Sequence, residues 1–123
     1  MQLVVVNEYG EFGERFVDDL VWVLKPHIGV TFISDLRDEG AKAVSNRIEY
    51  AKAVGVRVYI LYNATRSQVE DYVALYGALF AFIHGPGVYY AFDKVLSEDR
   101  YEITTVQGNA PIPFARALLK MGV

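Results

Sequence analysis

Asn7, Glu8, Asp35, Asn63 and His84 each stand at the end of an apolar run that reads as a β-strand. In an open α/β sheet ligands gather beyond the carboxyl ends of the strands, so these residues would share one rim. Two carboxylates and an imidazole there could hold a divalent cation, which would offset phosphate charge and activate water for phosphoryl or phosphodiester hydrolysis. The same residue types routinely satisfy turns and helix N-termini, and that structural reading is preferred. Glu8, Asp35, Asn63 and His84 therefore form the strand-end site of an alternative, enzymatic reading. No residue is assigned as catalytic, and no metal or cofactor is assigned.

A second set of residues suggests recognition rather than catalysis. Lys42, Asn46, Glu49 and Lys52 recur at helical spacing, with Arg37, Arg47 and Arg57 nearby in sequence. Such a basic face suits an RNA backbone or an acidic subunit, although Glu39 and Glu49 are also what a solvated helix carries. Nine tyrosines and seven phenylalanines could supply base-stacking platforms, while most aromatics simply pack cores and interfaces. Arg37, Lys42, Arg47, Lys52, Tyr89 and Tyr90 are the candidate contacts to RNA or a partner. His84-Gly85-Pro86-Gly87 lacks the following Lys-Ser/Thr of a phosphate loop and reads as a hairpin turn. Asp18 and Asp19 read as solvent-facing acids on the first helix, and His27 as an exposed residue at its end.

The elements that would position these groups are legible in the apolar periodicity. Leu3 to Val6 is a first strand. Phe12, Phe16, Leu20 and Leu24 repeat every fourth residue and predict an amphipathic helix from Glu11 to Leu24, stopped by Lys25-Pro26-His27. Val30 to Ser34 is the second strand. Apolar residues at 44, 48, 51 and 54 predict a second helix, Gly55 suits the left-handed position past its end, and Val56 to Leu61 is a buried strand. Thr65 with Gln68 forms a capping box for a third helix, from Arg66 to about Leu79, with Val69, Tyr72, Val73, Tyr76 and Phe80 on its buried side. Phe80 to Ile83, Val88 to Phe92 and Tyr101 to Val106 read as further strands, and Phe114 to Met121 as a short closing helix. This pattern predicts a single α/β domain over residues 1–123. Its N-terminal side is a three-layer, mostly parallel doubly wound sheet, and its C-terminal part is mixed or antiparallel.

Composition narrows the class. About half the residues are apolar and there is no cysteine, which removes disulfides and thiolate chemistry and is compatible with a thermophilic source. The net charge of −3 argues against a surface that embraces nucleic acid over its whole extent, since phosphate binding draws on clustered cations. No apolar run approaches the roughly 18 residues of a membrane span, so a cytoplasmic protein without membrane contact is expected.

Two stretches resemble known families. Ile48-Glu49-Tyr50-Ala51-Lys52-Ala53-Val54-Gly55-Val56-Arg57-Val58-Tyr59-Ile60-Leu61, preceded by Val30 to Arg37, is similar to the anticodon-binding domain of class II aminoacyl-tRNA synthetases of the histidyl, glycyl, threonyl and prolyl group. That resemblance covers residues 3–63 and implies a βαβαβ fold whose edge loops touch tRNA. The chain departs from the family at Leu61-Tyr62-Asn63-Ala64, where Gly-x-x-Glu is usual. More weakly, Tyr76-Gly77-Ala78-Leu79-Phe80, Gly85-Pro86-Gly87 and Phe92 to Val95 resemble archaeal tRNA-splicing endonuclease subunits, over residues 72–121 at most. That family's catalytic tyrosine would fall on Ile83 and its histidine on Tyr90, with Lys120 near the lysine position, which implies a non-catalytic structural subunit.

The expected function is a non-enzymatic, RNA-related binding or structural subunit protein, with tRNA as the expected RNA and a homo- or hetero-oligomer as the expected state. A metal-dependent phosphohydrolase or nuclease and a self-associating α/β protein are the alternatives. A nucleotide-binding Rossmann-like domain fits less well, because Asn7-Glu8-Tyr9-Gly10-Glu11-Phe12-Gly13 places acids where a phosphate loop needs bare amides.

Overall fold

Alternating strands and helices bury a β-sheet between two helical layers in the computed structural model. It describes residues 1–7, 10–28, 31–83, 88–97, 100–107, 115–116 and 119, with side chains at 1–7, 15–27, 31–81, 115–116 and 119. The order is β1 (Gln2–Asn7), α1 (Gly10–Ile28), β2 (Thr31–Asp35), α2 (Ala41–Ala53), β3 (Val58–Ala64), α3 (Arg66–Tyr76), β4 (Leu79–Ile83), β5 (Val88–Ser97) and β6 (Arg100–Gln107). The strands form one sheet in the order β2-β3-β1-β4-β5-β6. The first four are mutually parallel, and β5 and β6 add antiparallel neighbours. The expected combination of a parallel doubly wound part and a mixed C-terminal part is what the chain adopts.

Side-chain alternation along the strands divides the core in two. Val4, Val6, Val58, Ile60, Leu79 and Ala81 face α1, where Phe16, Val17, Leu20 and Leu24 cover them together with Ala115 and Leu119. Leu3, Val5, Tyr59, Leu61 and Phe80 face the other way, beneath Val44, Ile48 and Ala51 of α2 and Val69 and Val73 of α3. Each fully buried aliphatic side chain contributes about 1.5–3 kcal/mol relative to exposure, which explains why the helical spacing of these residues dictates the layers.

The α2–β3 junction forms as its sequence indicates. Gly55 takes φ +81°, Val56 N–H donates to the Ala51 carbonyl at 2.9 Å, and Gly55 N–H donates to the Lys52 carbonyl at 3.3 Å. These two bonds satisfy carbonyls that the helix end would otherwise leave orphaned, and Val56 then packs into the core beside Ala51. At the start of α3, Gln68 N–H donates to Thr65 Oγ1 (3.2 Å) while Thr65 N–H donates to Gln68 Oε1 (2.8 Å), completing the capping box.

Three boundaries differ from the sequence reading. The first helix continues through Pro26 to Ile28 instead of stopping at Leu24. Lys25, Pro26 and His27 are exposed, so the carbonyl deprived of a partner by proline can be solvated, and only the last turn is affected. The third helix ends at Tyr76, not about Leu79, because Gly77 adopts the left-handed conformation (φ 62°, ψ 35°) and its N–H closes on the Val73 carbonyl. Phe80, expected on that helix, is a buried β4 residue. The strand expected over Val88 to Phe92 runs on to Ser97. Within the closing helix expected from Phe114, residues 115, 116 and 119 are helical, and the others lie outside the described residues. Among the described residues no helix is long and apolar enough to cross a membrane.

Candidate functional site

The connections leaving adjacent strands diverge at one point of the parallel sheet. From β1 the chain passes to α1 on one face, and from β3 it passes to α3 on the other, while β1 and β3 lie side by side. Such a switch point opens a crevice at the carboxyl ends of the two strands. The pairing is irregular there: Val5 lies opposite Leu61 but Asn7 opposite Ala64, so β3 carries an extra residue. Asn63 lies in that extra stretch at φ +58° and is buried. Asparagine tolerates the left-handed region better than other side chains with a Cβ, which accounts for its type here.

Asp35, at the end of β2, organises the neighbouring turn. Its Oδ1 accepts the Arg37 backbone N–H at 2.9 Å and Asn63 Nδ2 at 3.1 Å, and its Oδ2 accepts Arg37 Nη2 at 2.8 Å. The Asp35 carbonyl accepts Asp38 N–H (3.1 Å), and Leu36 N–H reaches across to the Tyr62 carbonyl (3.0 Å). The Arg37 guanidinium, its backbone N–H and the Asn63 amide together outweigh desolvation and hold the Asp35 carboxyl down to about 2. A carboxylate so low and so fully engaged is an anchor for a loop, poorly suited to exchanging a proton near neutrality.

Asp35 and Asn63 meet directly, whereas Glu8 and His84 lie outside the described residues. Among the described residues no three His, Cys, Asp or Glu side chains come together as a metal site.

The cationic candidates do not form one patch. Arg37 is tied to Asp35, and Arg47 Nη1 lies 2.8 Å from Glu39 Oε1. Lys52 lies 3.7 Å from Glu49 and 5.3 Å from the centre of the Tyr76 ring, beside α3. Arg47 and Lys52 are five residues apart, about 140° around the helix, so they serve opposite flanks of α2. Lys42 is exposed on the first turn of α2. Tyr89 and Tyr90 pair with Ile83 and Phe82 on one side and with Val106 and Thr105 on the other. Their side chains lie outside the described residues.

Two features went unread in the sequence. Tyr59 is wholly buried; its hydroxyl hydrogen-bonds Ser34 Oγ, and Arg47 with its partner Glu39 sits close by. Burial pushes the Tyr59 phenol up, with Ser34 and Arg47 partly restraining the shift. A serine inside an apolar strand was the available signal for this contact. The second feature is a graded aromatic stack at the sheet edge. Tyr50 is 60% exposed and lies nearly parallel to Phe32 (centroids 6.4 Å apart, 25°), which in turn meets Tyr59 edge-on (5.9 Å, 78°). Tyr50 stands about 120° around α2 from the apolar stripe of Val44, Ile48 and Ala51, and that offset was the available signal for its exposure.

Comparison of the chain with protein-family models, with curated proteins and with solved structures returned no match.

Proposed function

We propose that this chain is a non-enzymatic α/β domain that binds RNA, with tRNA as the expected class, and that serves as a binding or structural subunit in RNA metabolism. One observation carries the reading. The Tyr50 ring presents an open face to solvent while Phe32 and the buried Tyr59 brace it from below. Arg47 lies one turn earlier on α2, half exposed and held in place by Glu39. An exposed ring backed by buried aromatics, with a guanidinium one helical turn away, is a stacking platform for an unpaired base, worth about 1–3 kcal/mol per base. Because Arg37, Arg47 and Lys52 already face carboxylates, binding here would draw on stacking more than on release of counterions.

Fluorescence anisotropy with a labelled single-stranded oligonucleotide and with unfractionated tRNA tests this. Tyr50→Ala is expected to weaken binding roughly tenfold and Tyr50→Phe to preserve it. The salt dependence is expected to be shallow. Equal affinity of the native protein and Tyr50→Ala, or no binding by the native protein, would remove the proposal.

A further inference from the structure

The opposite face of the same sheet edge carries a different set of groups. Among the described residues, strand β2 is an outer strand, paired with β3 alone. Leu36 N–H points inward to the Tyr62 carbonyl, so by strand alternation the backbone groups of Thr31 and Ile33 point outward to the open edge. Natural sheets usually protect such an edge with lysine, proline or an inward charge. Thr31-Phe32-Ile33-Ser34-Asp35 contains no lysine and no proline. Ile33, which pairs with Ile60 and so lies on the α1 face, is instead 41% exposed at the margin that α1 does not cover.

A groove of about 330 Å³ lies there, lined by Val17 and Asp18 of α1, Ile33 of β2 and Tyr62 of β3. Asp18 has no ion pair or hydrogen bond among the described residues. Trp22, one helical turn further along the stripe that carries Asp18, is 80% exposed. Among the described residues, the edge therefore combines backbone groups without a strand partner, apolar surface and one negative charge without an ion pair.

We infer that the open edge of β2 binds an extended peptide of a partner protein, which adds a strand to the sheet and places a lysine or arginine opposite Ile33, in the groove between Asp18 and Tyr62. Residues directly opposite one another on paired strands share a face, so the side chain facing Ile33 enters this groove. Asp18 supplies the opposite charge, the Tyr62 ring lies beside the aliphatic stem, and Trp22 covers the neighbouring part of the peptide. The site lies on the far side of the sheet from Tyr50, so it stands or falls independently of RNA binding.

The test uses the full chain and the fluorescence of Trp22, its one tryptophan. The probe is the blocked peptide Ser-Thr-Val-Lys-Val-Thr-Ser, compared with the same peptide carrying norleucine in place of lysine. A saturable change is expected, with the lysine peptide binding about fivefold tighter. That preference should disappear in Asp18→Asn, a substitution at an exposed helix position that leaves the core untouched. Methylation of the peptide nitrogens that face β2 should abolish binding. Equal affinity of the two peptides, an unchanged preference in Asp18→Asn, full binding of the methylated peptide, or no binding up to millimolar concentration would each overturn the inference. So would a dimer of the chain itself, seen by sedimentation, that the peptide fails to displace.

Discussion

Replacing Asp35 by asparagine removes the charge that anchors the turn between β2 and α2, yet leaves an oxygen to which Asn63 can donate. The native carboxyl is lowered from 3.8 to about 2, chiefly by the Arg37 guanidinium, with its backbone N–H and the Asn63 amide adding to the effect. A carboxyl depressed in the folded state adds stability that is present above its unfolded value and is lost as pH falls through its folded value. The full shift corresponds to about 2 kcal/mol at neutral pH. Arg37 is half exposed, so solvent screens part of it and about 1–2 kcal/mol remains. Urea unfolding followed by circular dichroism should show Asp35→Asn less stable by about that amount at pH 7, by about half of it near pH 3, and by almost nothing below about pH 2. The native-minus-variant difference isolates this group, because every other carboxylate titrates in both proteins. A difference that stays constant from pH 7 to pH 2, or that is absent at pH 7, would refute the assignment of Asp35 as a charged anchor.

Three further substitutions, at the positive-φ positions Asn63 and Gly55 near either end of β3, probe the backbone. Asn63→Ala should cost about 2 kcal/mol, from strain at positive φ and loss of the donor to Asp35, while Asn63→Gly should recover the backbone share of about 1 kcal/mol. Equal losses in the two variants, measured by urea unfolding, would assign the whole effect to the side chain. Gly55→Ala should destabilise by about 1 kcal/mol for a purely conformational reason, since a Cβ there meets no atom within 4 Å. An unchanged thermal midpoint would show that the α2 end does not need the left-handed residue.

The parts of this protein legible in its sequence are those whose physics is local. Val44, Ile48 and Ala51 followed by Gly55 specify a helix, its stop and the next strand, because helical periodicity and a positive-φ requirement are written in adjacent residues. Thr65 and Gln68 specify their capping box for the same reason, and the succession of such units implies an α/β sheet. Local signals also misled where a neighbour overrode them. Pro26 sits in a solvated last turn where helix can continue, and Gly77 ends α3 before Phe80, whose aromatic character suits helix and strand equally. The rim depended on tertiary structure. Asp35 and Asn63 are far apart in the chain and meet because β2 and β3 pair in parallel register. The basic residues of α2 divided, Arg47 toward Glu39 in the turn after β2 and Lys52 toward the Tyr76 ring of α3. Asp18 and Ile33 became one groove, and Tyr50 an exposed ring on a buried support, because β2 ends the sheet at its edge. Periodicity states which side of an element is apolar. Which side chains then face one another, and which charges are left without a partner, is decided only when strand order and helix placement bring distant residues together.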